Sequence, residues 1–153
     1  IDEEGNRLMK ERGKYLSADI YNDDYIHAKY AKFGTPKKIK KKEKLVGRVQ
    51  RENFQKAVKA GVKIAFGTDA GVYPHGWNAK QFPKMVEWGM TPIGAIQAAT
   101  VSNADLFGLS DKIGSITAGK YADIIAVDGD PLANVGLLEK VSFVMKSGVV
   151  YKN

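Results

Sequence analysis

Apolar positions recur with a helical period through the first two-thirds of this chain and shift to short extended runs near residue 113. Between Lys37 and Ala60, the residues Val46, Val49, Phe54, Ala57 and Val58 share one helical face, and lysines take the other. That spacing predicts a long helix stopped at Gly61. Gly5 to Arg12 reads as a short helix with Gly13 as its stop. Lys14 to Tyr21 reads as a strand closed by turn residues Asn22-Asp23-Asp24, and residues 25 to 36 as loop or irregular helix. Val62 to Phe66 is an apolar run of strand length, which predicts a buried strand. A helix is expected from Asn78 to Trp88, ending at Gly89. Thr91-Pro92 supplies an N-cap and a proline at the first helical position for a helix reaching about Thr100. Ser102 and Asp105 read as a capping box for one more short helix, stopped by Gly108.

From residue 113 the pattern predicts four short strands, namely Ile113–Ile116, Ala122–Val127, Val141–Met145 and Gly148–Tyr151. The last two form a hairpin. The order is the end of an α/β layer followed by a small all-β unit, so the expected domains are residues 1–110 and 111–153.

Composition narrows the chemistry. The 153 residues contain no cysteine and two histidines, His27 and His75. Thiolate sites, disulfides and a self-contained multi-histidine zinc site are therefore excluded. No apolar run approaches the roughly 18 residues of a membrane span, so no membrane partner is expected. The acidic start Ile1-Asp2-Glu3-Glu4 has no apolar signal core and no Met, which reads as an excised or truncated piece and leaves the compartment unassigned. The net charge of +7 is uneven: residues 29 to 63 carry an excess of +11 and the remainder −4. The lysine run (Lys37, Lys38, Lys40, Lys41, Lys42, Lys44) invites a nucleic-acid reading. Glu43 interrupts it and no aromatic residue interleaves it, so a solvated helix face is the favoured reading over a nucleic-acid partner.

The strand Val62–Phe66 runs directly into Gly67-Thr68-Asp69-Ala70-Gly71, then Pro74-His75-Gly76. A buried strand thus delivers one carboxylate, Asp69, into a glycine-flanked loop. In α/β proteins the C-terminal strand tips are where chemistry is placed. A turn aspartate in solvent is the plainer alternative. Asp19, on the preceding predicted strand, is a further carboxylate candidate. His27 reads as a surface histidine. Tyr73 and Trp77 either line the mouth above Asp69 or pack within the loop.

Gly67-Thr68-Asp69-Ala70-Gly71 with Pro74-His75-Gly76 is followed by Gly89-Met90-Thr91-Pro92 and Ala95-Ile96-Gln97-Ala98-Ala99-Thr100. Ile113-Gly114-Ser115-Ile116 and Gly119-Lys120-Tyr121-Ala122-Asp123-Ile124 come next. In this order and spacing the motifs resemble the C-terminal part of an amidohydrolase-superfamily metal hydrolase, in its imidazolonepropionase-like and Xaa-Pro dipeptidase-like branch. The resemblance covers nearly the whole chain.

The resemblance implies a (β/α)8 barrel plus a β-sandwich made from both chain ends. Lys14–Tyr21 would be the seventh barrel strand, Val62–Phe66 the eighth, and residues from Ile113 the C-terminal sandwich strands. It implies that Asp69 is a metal ligand and proton shuttle, and it places His75 in a loop above the site, open to substrate contact or to a structural hydrogen bond. It implies a divalent metal, expected to be zinc, as one or two ions. The substrate would be a small dipeptide, amide or cyclic amide. The family's other ligands, a His-x-His pair, a lysine or carboxylate, and two further histidines, have no match here. This chain alone is therefore expected to be inactive, to hold metal weakly, and to need a missing N-terminal barrel portion or a homo-oligomer. A half-enzyme with a separate N-terminal chain and a basic interaction module are the alternatives.

Overall fold

The computed structural model describes residues 1–33 and 37–153, with side chains described outside 30–40 and 42–44. Helix α1 (Glu3–Glu11) starts where the Asp2 carboxylate accepts from the Gly5 amide at 2.8 Å, with Glu3 and Glu4 in its first turn. Gly13 ends it with φ of 60°. Strand β1 (Tyr15–Ser17) follows, then helices α2 (Asn22–Phe33) and α3 (Lys37–Ala60), then strand β2 (Lys63–Ala65). The two strands are parallel, in the register Tyr15↔Lys63, Leu16↔Ile64, Ser17↔Ala65. A strand, a helical crossover and a parallel strand make a βαβ unit.

Next come a 3₁₀ turn (Asn78–Lys80) and helices α4 (Gln81–Glu87), α5 (Pro92–Ala99) and α6 (Val101–Leu106). Thr91 caps α5 by accepting from the Gly94 amide at 3.1 Å. Strands β3 (Ile124–Val127), β4 (Val141–Lys146) and β5 (Val149–Lys152) form an antiparallel sheet in the order β3-β4-β5. Its hairpin turns at Ser147 and Gly148, both with positive φ (48° and 79°), which suits the right-handed twist of the paired strands.

The core lies between the two parallel strands and the helices that follow them. Ile20, Phe54, Ile64, Met85, Ala95 and Ala98 are buried together, with Leu16, Phe66, Phe82 and Trp88 packed around them. Small Ala95 and Ala98 let α5 approach closely, so Phe66 donates its backbone N–H to Ala98 O at 3.1 Å.

Four expectations need correction. Asn22-Asp23-Asp24 does not close a strand but opens α2, where the Asp19 carboxylate accepts from the Asn22 amide at 3.3 Å. Of the loop and the irregular helix left open for residues 25 to 36, the structure has helix as far as Phe33. Both strands of the βαβ unit are shorter than their apolar runs. Ser102 lies inside α6, whose N-cap is Thr100, and Asp105 instead accepts from the Tyr15 hydroxyl and from Lys63 Nζ at 3.3 Å. Ile113–Ile116 is a turn rather than a strand, with Gly114 at φ 89° packed against Ala104. The apolar face of α3 is also divided. Phe54 and Ala57 are buried, whereas Val46 and Val49 are 49% and 45% exposed.

Candidate active site

The loop from Phe66 to Asp69 is held residue by residue. Asn103 on α6 accepts from the Phe66 amide at 3.2 Å and donates Nδ2–H to the Phe66 carbonyl at 3.0 Å. The Gly67 carbonyl accepts from Nε2 of Gln81. The Thr68 carbonyl accepts from the Tyr73 hydroxyl at 2.9 Å, and the Gly71 amide donates to Tyr73 O at 3.1 Å. Asp69 then takes φ of 47°, a left-handed conformation that aspartate tolerates better than most residues.

Tyr73 is 1% exposed. Its ring meets Tyr21 edge-on at 5.0 Å and Tyr25 at 6.0 Å, and Tyr25 meets Trp77 at 5.8 Å. The aromatic cluster fastens the loop after β2 to the start of α2. Of the two readings open for Tyr73, packing is the observed one, while Trp77 packs against Tyr25 and stays 42% exposed.

The loop after β1 is held just as firmly. Gln50 donates to Asp19 O, and Arg51 donates to Ile20 O at 3.2 Å. Arg51 and Lys84 each lie 2.9 Å from a carboxylate oxygen of Asp24. Burial opposes charge on Asp24, but the bonds from Lys84 and Arg51 outweigh it and hold the carboxyl below its usual range.

Asp19 and Asp69 line one cleft of about 450 Å³, together with Ile1, Ser17, Asn53 and Phe54. Asp19 lies two residues past the end of β1 and Asp69 four past the end of β2, and both reach this cleft from the segments that follow the paired strands. Burial pushes the Asp19 carboxyl up to about 6, opposed by the Asn22 amide and reinforced by the negative charge of Asp69. His75 is exposed in the loop and does not line this cleft. His27 lies on α2, with Nε2 3.2 Å from Asp23 Oδ1, and has a structural partner.

Among the described residues no group of three or more His, Cys, Asp or Glu side chains comes together as a metal site. A closed zinc site takes four ligands and a catalytic one three. The two carboxylates on this cleft are fewer than either kind of site needs. Most of the lysine run lies outside the described side chains; Lys41 is exposed. Gln81 and Asn103 escaped the sequence reading, because each looks like an ordinary polar residue of a helix. Their only signal is a polar side chain among the apolar positions of a helix facing the core.

A carboxylate at the tip of a parallel strand, in a loop pinned from three neighbouring elements, defines an α/β protein of the kind that puts its site at the carboxyl ends of its strands. The chain belongs to the amidohydrolase family, whose model matches residues 3–152. Ochratoxinase of Aspergillus niger is 33% identical over 156 residues, covering 99% of this chain and 32% of the relative. The crystal structure of a Xaa-Pro dipeptidase with methionine bound in its active site superposes with a TM-score of 0.91. It shows 43% identity over 100% of this chain and 38% of its own. A prolidase complexed with N-methylphosphonate-L-proline gives a TM-score of 0.86 at 27% identity, over 100% of this chain and 38% of its own. The chain thus spans 32% of the length of the ochratoxinase it matches.

Proposed function

We propose that this chain is the C-terminal portion of a metal-dependent amidohydrolase that cleaves a C–N bond in a small dipeptide or related amide. Residues 1–110 would be the last two strand-helix units of a (β/α)8 barrel, and 111–153 the C-terminal strands of a composite β-sandwich. The observation that carries the reading is Asp69, delivered by β2 to the cleft it shares with Asp19. Membership in a family that generally uses divalent metals supports it, as does the likeness to a Xaa-Pro dipeptidase.

A divalent ion, expected to be zinc, supplies a water acidified toward neutrality when bound. Asp69 would be one ligand of that ion and the base of the reaction. Its carboxylate takes a proton from the attacking water as the water oxygen adds to the carbonyl carbon. It returns that proton to the amine nitrogen as the C–N bond breaks. Asp69 takes a left-handed turn, and the two carbonyls before it are bonded to Gln81 and Tyr73, which supports a fixed place for the carboxylate at the tip. His75, exposed on the same loop but outside the cleft, would contact only a substrate that extends beyond it.

The test is the full-length protein loaded with zinc and assayed on a panel of Xaa-Pro dipeptides. Asp69→Asn should lower kcat by at least a hundredfold. An unchanged kcat would remove Asp69 from the chemistry.

A further inference from the structure

The side chain of Gln81 is wholly buried at the start of α4, and every polar atom of its amide is used at the strand tips. Oε1 accepts from the Ile20 amide at 3.2 Å, and Nε2 donates to Ala18 O at 3.1 Å and to Gly67 O. The parallel ladder ends at Ser17 and Ala65, so beyond those residues the two chains have no bonds to each other. One planar amide from a third element bridges the gap just where the chains diverge. Asp19 follows Ala18 directly, and Asp69 lies two residues past Gly67. Core packing alone does not call for an amide here, since Met85 and Phe82 on the same helix contribute packing without polar groups. Burying an amide costs free energy unless each of its groups is bonded, and the partners at this site are the backbone of the two functional loops.

We propose that Gln81 is the positioning residue of the site: it sets the tip of β2 against the tip of β1 and so fixes where the Asp69 carboxylate stands. This rests on the hydrolytic reading of Asp69. Gln81 touches neither substrate nor the reacting atoms. It acts through the Gly67 carbonyl, with two peptide units between that bond and the Asp69 side chain.

The test compares Gln81→Met, which keeps the length and volume and loses the bonds, with Met85→Ala, an equally buried change outside the bridge. Both are made in the full-length protein, zinc-loaded, with the dipeptide Met-Pro as probe. Gln81→Met should lower kcat at least tenfold with KM within threefold, while Met85→Ala lowers the melting temperature and keeps kcat. Amide hydrogen exchange over residues 66–70 should rise at least tenfold in Gln81→Met and stay unchanged in Met85→Ala. A folded Gln81→Met with either readout unmoved overturns the proposal. If Gln81→Met aggregates, Gln81→Asn, which keeps the amide but falls short of one tip, should give the same split of kcat from KM. Full activity in Gln81→Asn, or its aggregation while Met85→Ala stays soluble, overturns the positioning role. Asp69→Asn is assayed alongside. If it leaves kcat intact, the hydrolytic reading falls and the exchange readout alone decides for Gln81.

Discussion

Asn103 binds the backbone of Phe66 as a neighbouring strand would, accepting from its amide at 3.2 Å and donating to its carbonyl at 3.0 Å. The residue thus supplies the pairing that β2 lacks at its end, from a helix that follows it by 37 positions. Asn103→Leu removes both bonds and leaves the Phe66 carbonyl without this partner. The expected cost is about 1–2 kcal/mol, the usual penalty for an orphaned, partly buried backbone group. In a thermal melt of the full-length protein that appears as a lower melting temperature. A melt unchanged within a degree would show that the Ala98 carbonyl, also bonded to the Phe66 amide, suffices alone.

Asp24 predicts a pH dependence. Its carboxyl is held below its usual range because Lys84 and Arg51 outweigh the cost of burying it. A lowered folded pKa means the unfolded chain binds the proton more readily. The stabilisation is therefore full above the unfolded value of 3.8 and is lost as pH falls through the lower folded value. Asp24→Asn should cost about 1 kcal/mol at pH 7, a figure already reduced for solvent screening of a side chain one-third exposed. The gap between the two melting curves should close as the pH is taken below 3.8 and toward 2. A gap that persists at pH 2 would assign the effect to packing instead.

Gly114 sits where two constraints coincide. Its φ is 89°, and an added Cβ would lie 2.6 Å from the Ala104 Cβ and 3.1 Å from the Thr100 carbonyl oxygen. Neither neighbour can swing aside, because one is a methyl on the helix and the other is backbone. Gly114→Ala should cost about 2–4 kcal/mol, combining left-handed strain with overpacking. Gly119→Ala is the control: its φ is 92°, but it has open space around it. It should cost only the conformational part, about 1–2 kcal/mol. Equal losses in the two variants would mean that the contact with α6 carries no weight.

The parts of the fold legible in the sequence are those with a local cause. Gly61, Thr91-Pro92 and Ser147-Gly148 each impose a backbone geometry on their own neighbours, and the structure has α3, α5 and the β4–β5 hairpin where those residues require them. The position of Asp69 in the loop just after β2 was legible for the same reason, since it follows an apolar strand-length run. The misread elements depend on partners far along the chain. Asp105 looked like the second half of a capping box, yet Tyr15 and Lys63, paired across the parallel strands, take it up instead. Asp19 accepts from the Asn22 amide at the start of α2 and also faces the cleft, a double role that spacing does not reveal. Gln81 and Asn103 reach the cleft region only through backbone atoms of the segments that follow β1 and β2, so no motif marks them.

Metal binding by this chain alone tests how much of the proposed site it carries. Asp69 and Asp19 face one cleft, but among the described residues no third His, Cys, Asp or Glu joins them. Burial pushes the Asp19 carboxyl up to about 6, which still leaves it mostly ionised at neutral pH. Asp69 is exposed and pays little desolvation, but one or two carboxylates compete weakly with water for a divalent ion. Titration of zinc into the 153-residue chain should therefore give no stoichiometric binding at micromolar concentrations, and the chain should not hydrolyse Xaa-Pro dipeptides. The full-length protein should bind zinc tightly under the same conditions, and Asp69→Asn should weaken that binding by about 10-fold or more, as loss of one ligand does. Tight one-to-one zinc on the isolated chain would show that these two strand tips make a complete site, and would overturn the view that the remaining ligands come from elsewhere.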